Sequence, residues 1–239
     1  MSPRLPFLRA VVAAAGLLAG LAGAPAAAPA ASFRVSDEHR TTFWSRPLHL
    51  ATIRQAPDPR SRPLARLRWF TEDGYPEVYV ALSYADQGRL GRWLQVRVPG
   101  RPNGRTGWVR VGDLEPLRLV RTQLIVDRRR LRATLRNNGR VVWQAPVGVG
   151  ARSTPTPAGR FYVRERIRAG GGIYGPWAFG TSAYSALSDW PGGGVVGIHG
   201  TNQPGLIPGR PSHGCIRVKN PAIVRLARLM PVGTPVLVL

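Results

Sequence analysis

Cysteine is almost missing from this chain: there is one in 239 residues, Cys215. A lone thiol excludes an internal disulfide, and with it the disulfide-stapled scaffolds of small secreted domains. Neither C-x-x-C nor H-E-x-x-H occurs, so the paired ligand spacings of common zinc sites are absent and no metal or cofactor is expected. Lysine is equally scarce. Lys219 is the only one, so the 34 basic residues are otherwise arginine, set against 12 acidic ones for a formal net charge of +22. Such a charge draws a protein toward polyanions but says nothing about a reaction. Arginine in place of lysine throughout is also what GC-rich coding produces. Charge is missing from the amino terminus too: after Arg4 and Arg9 none appears until Arg34. That gap holds an apolar run, Ala10 to Leu21, and the small-residue segment Ala24 to Ala31. Basic start, short apolar run and small-x-small sites are the order of a secretory signal peptide over residues 1–31. Gly16, Gly20, Gly23 and Pro25 break the run as a spanning helix, which needs about 20 apolar residues. The expected destination is therefore outside the cytoplasmic membrane, in the cell wall or the periplasm. There the first polyanions met are wall polymers and lipid head groups, and no nucleic-acid partner is expected.

The remainder suits one large or two small domains. Leu64 to Trp69, Val78 to Leu82, Trp93 to Val98 and Trp108 to Val111 alternate as short strands, with Pro99-Gly100, Asn103-Gly104 and Gly107 as turns. Strands at this spacing point to a small β-barrel. The run Trp93 to Val109 resembles the end of bacterial SH3-like domains, so residues 40–116 are expected to form one. Trp69, Trp93 and Trp108 are expected in its core rather than along a ligand groove. Glu115-Pro116 marks the boundary, and residues 117–239 form the second domain. There Leu119 to Val126, Arg130 to Leu135, Val141 to Val147, Phe161 to Ile167 and Gly194 to Ile198 read as strands, with Asn138-Gly139 as a hairpin turn. One helix follows: Asn220 is a good N-cap, and Ile223, Leu226, Ala227 and Met230 fall on one face. Thr234 to Leu239 closes the chain as a strand. The fold class expected is mainly β, with a short helix near the end.

The chemistry is concentrated in Ile198-His199-Gly200-Thr201-Asn202 and Ser212-His213-Gly214-Cys215-Ile216-Arg217. A lone cysteine near two histidines reads as a nucleophile with its base, because an imidazole can hold a thiol partly deprotonated near neutral pH. Gly214 keeps the backbone open just before the thiol, where N–H groups could cradle an oxyanion. His199 and His213 are the only histidines of this domain. His199, arriving at the end of another strand, is the expected base, with His213 assisting it or shaping the oxyanion pocket.

These two segments resemble the signature of the L,D-transpeptidase (YkuD) family. Val147-Gly148-Val149-Gly150, Thr154 to Gly159 and Gly233 to Leu237 add to the resemblance, which spans the second domain. It implies a β-rich catalytic domain in which Cys215 attacks a peptidoglycan tetrapeptide stem, releases D-alanine and passes the acyl group to an amine, giving a 3→3 cross-link. It implies His199 as base, the Gly200 carbonyl orienting the imidazole, and the backbone of His213, Gly214 and Cys215 as oxyanion pocket. Ser212 and Arg217 would steady the turn or touch substrate, and carbapenems would acylate Cys215. Pro221-Ala222 departs from relatives that carry an acidic residue after Asn220. Two rivals remain: a stem-peptide carboxypeptidase or peptidase with water as acceptor, and a catalytically dead wall-binding protein. Papain-like peptidases place the cysteine before the histidine at a helix start, the reverse of the order here. The first domain is expected to hold the enzyme against the wall polymer.

Overall fold

The computed structural model describes residues 32–189 and 191–239, so the expected leader over 1–31 lies outside the described residues. Strands β1 (Ser32–Arg34), β2 (Thr42–Ser45), β3 (Thr52–Arg54), β4 (Pro63–Arg66), β5 (Tyr79–Asp86), β6 (Arg92–Arg97), β7 (Thr106–Arg110) and β8 (Arg118–Val120) make one sheet. Its order is β4-β3-β7-β6-β5-β2-β8, with β1 on β5. Strands β9 (Thr122–Asp127), β10 (Arg132–Asn137), β11 (Arg140–Gly150), β12 (Gly159–Arg168), β13 (Trp177–Tyr184), β14 (Val195–His199), β15 (Gly209–Ser212), β16 (Ile216–Val218) and β17 (Pro235–Val238) make the other. Here the order is β10-β9-β17-β12-β13-β14-β16-β11-β15, and a further pairing of β10 with β11 closes the path into a barrel-like ring. Helix α1 (Asn220–Leu229) buries Ile223, Leu226 and Ala227, and with Met230 they join the core inside this ring. The fold is mainly β, as its alternating short runs require.

Several local expectations change. The first sheet has eight strands, more than the four alternating runs, and it includes residues on either side of 40–116. Leu119 to Val126 is not one strand. It breaks at Arg121, where β8 pairs with β2 of the first sheet and β9 pairs with β10 and β17 of the second. β13 was hidden because Gly180, Thr181 and Ser182 interrupt the apolar alternation, although the strand is buried from Phe179 to Tyr184. Of the three tryptophans, Trp93 is in the core, Trp108 is half-buried and Trp69 is exposed. The Asn138-Gly139 turn forms with both residues at positive φ, as a tight hairpin of that type requires.

The two sheets are packed together. Trp44, Val78 and Val80 of the first cluster with Tyr162 of the second. The Tyr162 hydroxyl donates to the Val78 carbonyl at 2.9 Å. Arg164, wholly buried on β12, donates from Nε to Glu77 at 2.8 Å and lies 2.8 Å from Glu72. Asn103 and Tyr184 exchange two hydrogen bonds, at 2.8 and 2.9 Å.

Candidate active site

β14 ends at His199, and β16 starts directly after Cys215. The two run parallel, with Ile198 opposite Ile216 and His199 opposite Arg217. That register brings Gly197 beside Cys215, and the Gly197 N–H donates to Sγ at 3.4 Å. A Cβ on Gly197 would lie 3.7 Å from His199 Cδ2 and 3.8 Å from Cys215 Sγ. Ring and thiol therefore converge over a residue with no side chain. His199 is only 5% exposed, and its Nδ1 lies 2.6 Å from the Gly200 carbonyl oxygen. A carbonyl can only accept, so Nδ1 carries the proton and Nε2 keeps its lone pair. The Tyr174 ring meets the imidazole edge-on, with centroids 5.1 Å apart.

Three hydroxyls fix the turn before the thiol. Ser212 Oγ donates to the Cys215 carbonyl at 2.6 Å and accepts from the Gly214 N–H at 3.2 Å. Thr156 donates to the Gly214 carbonyl at 2.8 Å while accepting from the Gly150 N–H. Ser185 donates to the His213 carbonyl at 3.0 Å. Gly214 itself sits at φ +128°, a backbone region that side chains avoid. The Gly214 N–H is bonded to Ser212 Oγ, which leaves the Cys215 N–H as the other backbone donor of the turn. The His213 side chain is exposed and is not among the residues lining the cavity.

The electrostatics differ from a preformed ion pair. Burial pushes the His199 imidazole down to about 4 from an ordinary 6.5; the Arg217 charge adds to this, and the Gly200 carbonyl opposes it. Burial pushes the Cys215 thiol up, against the lowering by the Gly197 N–H and by Arg217. At neutral pH the resting pair is a neutral thiol beside a neutral imidazole. Arg217 donates to Gln203 at 3.2 Å, and its positive charge acts on both members of the pair.

Asn220 is not the helix cap. Lys219 holds that place and Asn220 is the first helical residue; its Oδ1 accepts from the Thr201 N–H at 2.8 Å. This ties the helix to the loop that follows His199. Thiol and imidazole open onto a cavity of about 430 Å³, lined also by Gly197, Tyr174 and, from the first domain, Asp73 and Tyr75. The last two carry no local signal in sequence, because the turn between β4 and β5 that holds them reaches the cleft only through the packing of the sheets. Tyr174 lies in the glycine-rich stretch Gly170 to Gly175, a composition that signals a loop but not its place beside the site. Among the described residues, no three His, Cys, Asp or Glu side chains are grouped to hold a metal ion.

The family model of the YkuD L,D-transpeptidase catalytic domain matches residues 121–238. The YkuD protein of Bacillus licheniformis is 33% identical over 149 residues, spanning 62% of this chain and 76% of that protein. The chain belongs to the YkuD L,D-transpeptidase family. The YkuD protein of Bacillus subtilis is 39% identical over 103 residues, spanning 43% of this chain and 57% of its own length. The chain thus matches little more than half of that relative. The catalytic domain of the Enterococcus faecium L,D-transpeptidase, solved by NMR, is 26% identical; the match covers 49% of this chain and 96% of that domain at a TM-score of 0.37. The family match begins at Arg121, the residue where the backbone passes from β8 to β9.

Proposed function

We propose that this chain is an exported L,D-transpeptidase with Cys215 as nucleophile and His199 as general base. One observation carries the reading: the Cys215 thiol and an imidazole with a bare Nε2 meet over Gly197 at the wall of a cavity large enough for a peptide. The substrate is the tetrapeptide stem of peptidoglycan. Nε2 takes the thiol proton as Sγ attacks the carbonyl of the third residue. The tetrahedral intermediate places its negative oxygen at the Cys215 N–H, because the Gly214 N–H is engaged by Ser212. Collapse breaks the bond to D-alanine, which leaves as an amine with the proton from His199. The thioester is then attacked by the side-chain amine of a second stem, whose proton returns through His199 to the thiol. The product is a 3→3 cross-link.

Mass spectrometry of the full chain incubated with purified stem tetrapeptides tests this. The expected products are free D-alanine, a thioester on Cys215 and a cross-linked dimer. Tripeptide without dimer makes water the acceptor and the protein a carboxypeptidase; absence of any adduct overturns the cysteine mechanism. Carbapenems enter by the same attack on a strained amide and add one intact drug mass to Cys215. The arginine-rich surface suits anionic wall polymers as a second, non-catalytic contact.

A further inference from the structure

The turn between β4 and β5 in the first domain is clamped onto β12 of the second. Thr71 donates its hydroxyl to the Glu165 carboxylate, and that hydroxyl also accepts from the Tyr75 N–H at 3.1 Å. The Thr71 N–H donates to the Tyr75 carbonyl at 2.8 Å, closing the turn on itself. Glu72 and Glu77, on either side, both hold the buried Arg164, and Glu72 accepts from the Tyr184 hydroxyl at 2.6 Å. Burying charges is unfavourable unless their partners are fixed, so such a clamp specifies one orientation rather than merely tethering a module. The part it holds still is the tip, Asp73 and Tyr75, which stands on the wall of the cavity containing Cys215 and His199.

The charges around that cavity are uneven. The Arg217 charge acts on the reactive pair, and Arg168 is on the wall with its guanidinium over the Trp177 ring, 5.5 Å from the centroid. Asp73 is the one carboxylate among the described lining residues. Behind it Glu165 is pushed up to about 7 by burial and by the neighbouring Asp73 charge. A cation arriving at Asp73 meets the one carboxylate among the described lining residues and relieves its crowding with Glu165.

We infer that Asp73 and Tyr75 of the first domain contact the substrate: Tyr75 packs along the stem peptide, and Asp73 receives the cationic side-chain amine of its third residue. The inference rests on the reading of Cys215 and His199 as the acylating pair. It makes the first domain part of the substrate site and Asp73 a determinant of which stems are accepted.

The test is calorimetric binding to the full chain carrying Cys215→Ala, with two tetrapeptide stems, one with a free side-chain amine and one with that amine acetylated. The free-amine stem is expected to bind roughly 10-fold more tightly. Adding Asp73→Asn should bring the ratio to near one by weakening only the free-amine stem, and Asp73→Glu should retain a preference. Adding Tyr75→Ala should weaken both stems and leave the ratio in place. A parent without the preference, or a preference untouched by Asp73→Asn, overturns the inference. Turnover of the wild-type chain separates the two readings. If it cross-links normally while Asp73→Asn leaves the ratio unmoved, only the wall is wrong. If it never forms an acyl-enzyme while the Cys215→Ala chain shows the Asp73-dependent ratio, the wall stands and the reaction is wrong.

Discussion

Arg164 of β12 and Glu77, just before β5, pair through Nε and Oε1 at 2.8 Å, and both have fully buried side chains. Taking away one partner of a buried pair leaves the other charge without water, at a typical cost of about 3–5 kcal/mol. Glu77→Gln is expected to lose about that much in urea unfolding. Glu72→Gln should lose less, because its side chain is 22% exposed and keeps contact with solvent. Equal losses would mean that the buried pair is not the main tie between the sheets.

Deletion of residues 40–116 follows from the same contact. Sequence alone suggests a detachable wall-binding module whose loss spares acylation by a small β-lactam. The packed sheets reverse that expectation. The deletion removes both carboxylate partners of Arg164, uncovers Tyr162 and takes Asp73 and Tyr75 from the cleft. The truncated protein should be poorly soluble, or slow even toward a carbapenem. A stable fragment acylated at the full rate would restore the detachable-module view.

Cys215→Ala and Cys215→Ser should both abolish acyl-enzyme formation. A serine hydroxyl is far less ionised than a thiol and a weaker nucleophile at the same position. Intact-mass measurements after exposure to stem or carbapenem check this. Any adduct on Cys215→Ala places the nucleophile elsewhere.

His199→Ala should slow acylation by about 10²–10⁴-fold, the usual contribution of a general base. His213→Ala should slow acylation less, since that side chain is exposed and is not among the residues lining the cavity. Stopped-flow acylation rates for the two variants decide it, and the reverse order would reassign the base.

The pH profile of acylation should fall on the acid side near 4, not near 6.5. A base must be unprotonated to accept. Burial lowers the affinity of His199 for a proton, so the imidazole stays competent until the pH drops through its depressed value. Replacing Arg217 by Gln removes a nearby positive charge and should move this limb upward. A wild-type limb near 6.5 would show His199 to be more hydrated than its burial implies.

Much of the site was legible because its chemistry is written locally. The lone Cys215, the two histidine segments and the glycine at 214 point to a thiol, a base and a strained turn within a short stretch of chain. The Gly200 carbonyl meets the imidazole as the resemblance implies, because it is only one residue away. The hydrophobic face of α1 is read correctly for the same reason: it depends on a period of 3.6 residues and a single core. Asn220 was misread because its residue type suits a cap, while the neighbouring loop offered its side chain a better partner in the Thr201 N–H.

What the amino-acid sequence determined by itself is a mainly β chain with one reactive thiol and a nearby imidazole. Only the tertiary structure decided that the Gly214 N–H is engaged by Ser212 and that burial leaves thiol and imidazole neutral. It also split Leu119 to Val126 between two sheets and carried Asp73 and Tyr75 to the cleft. The physical reason is one of range. Turn chemistry and alternation act between neighbours along the chain, whereas burial, strand pairing and charge partners depend on residues that only packing brings together.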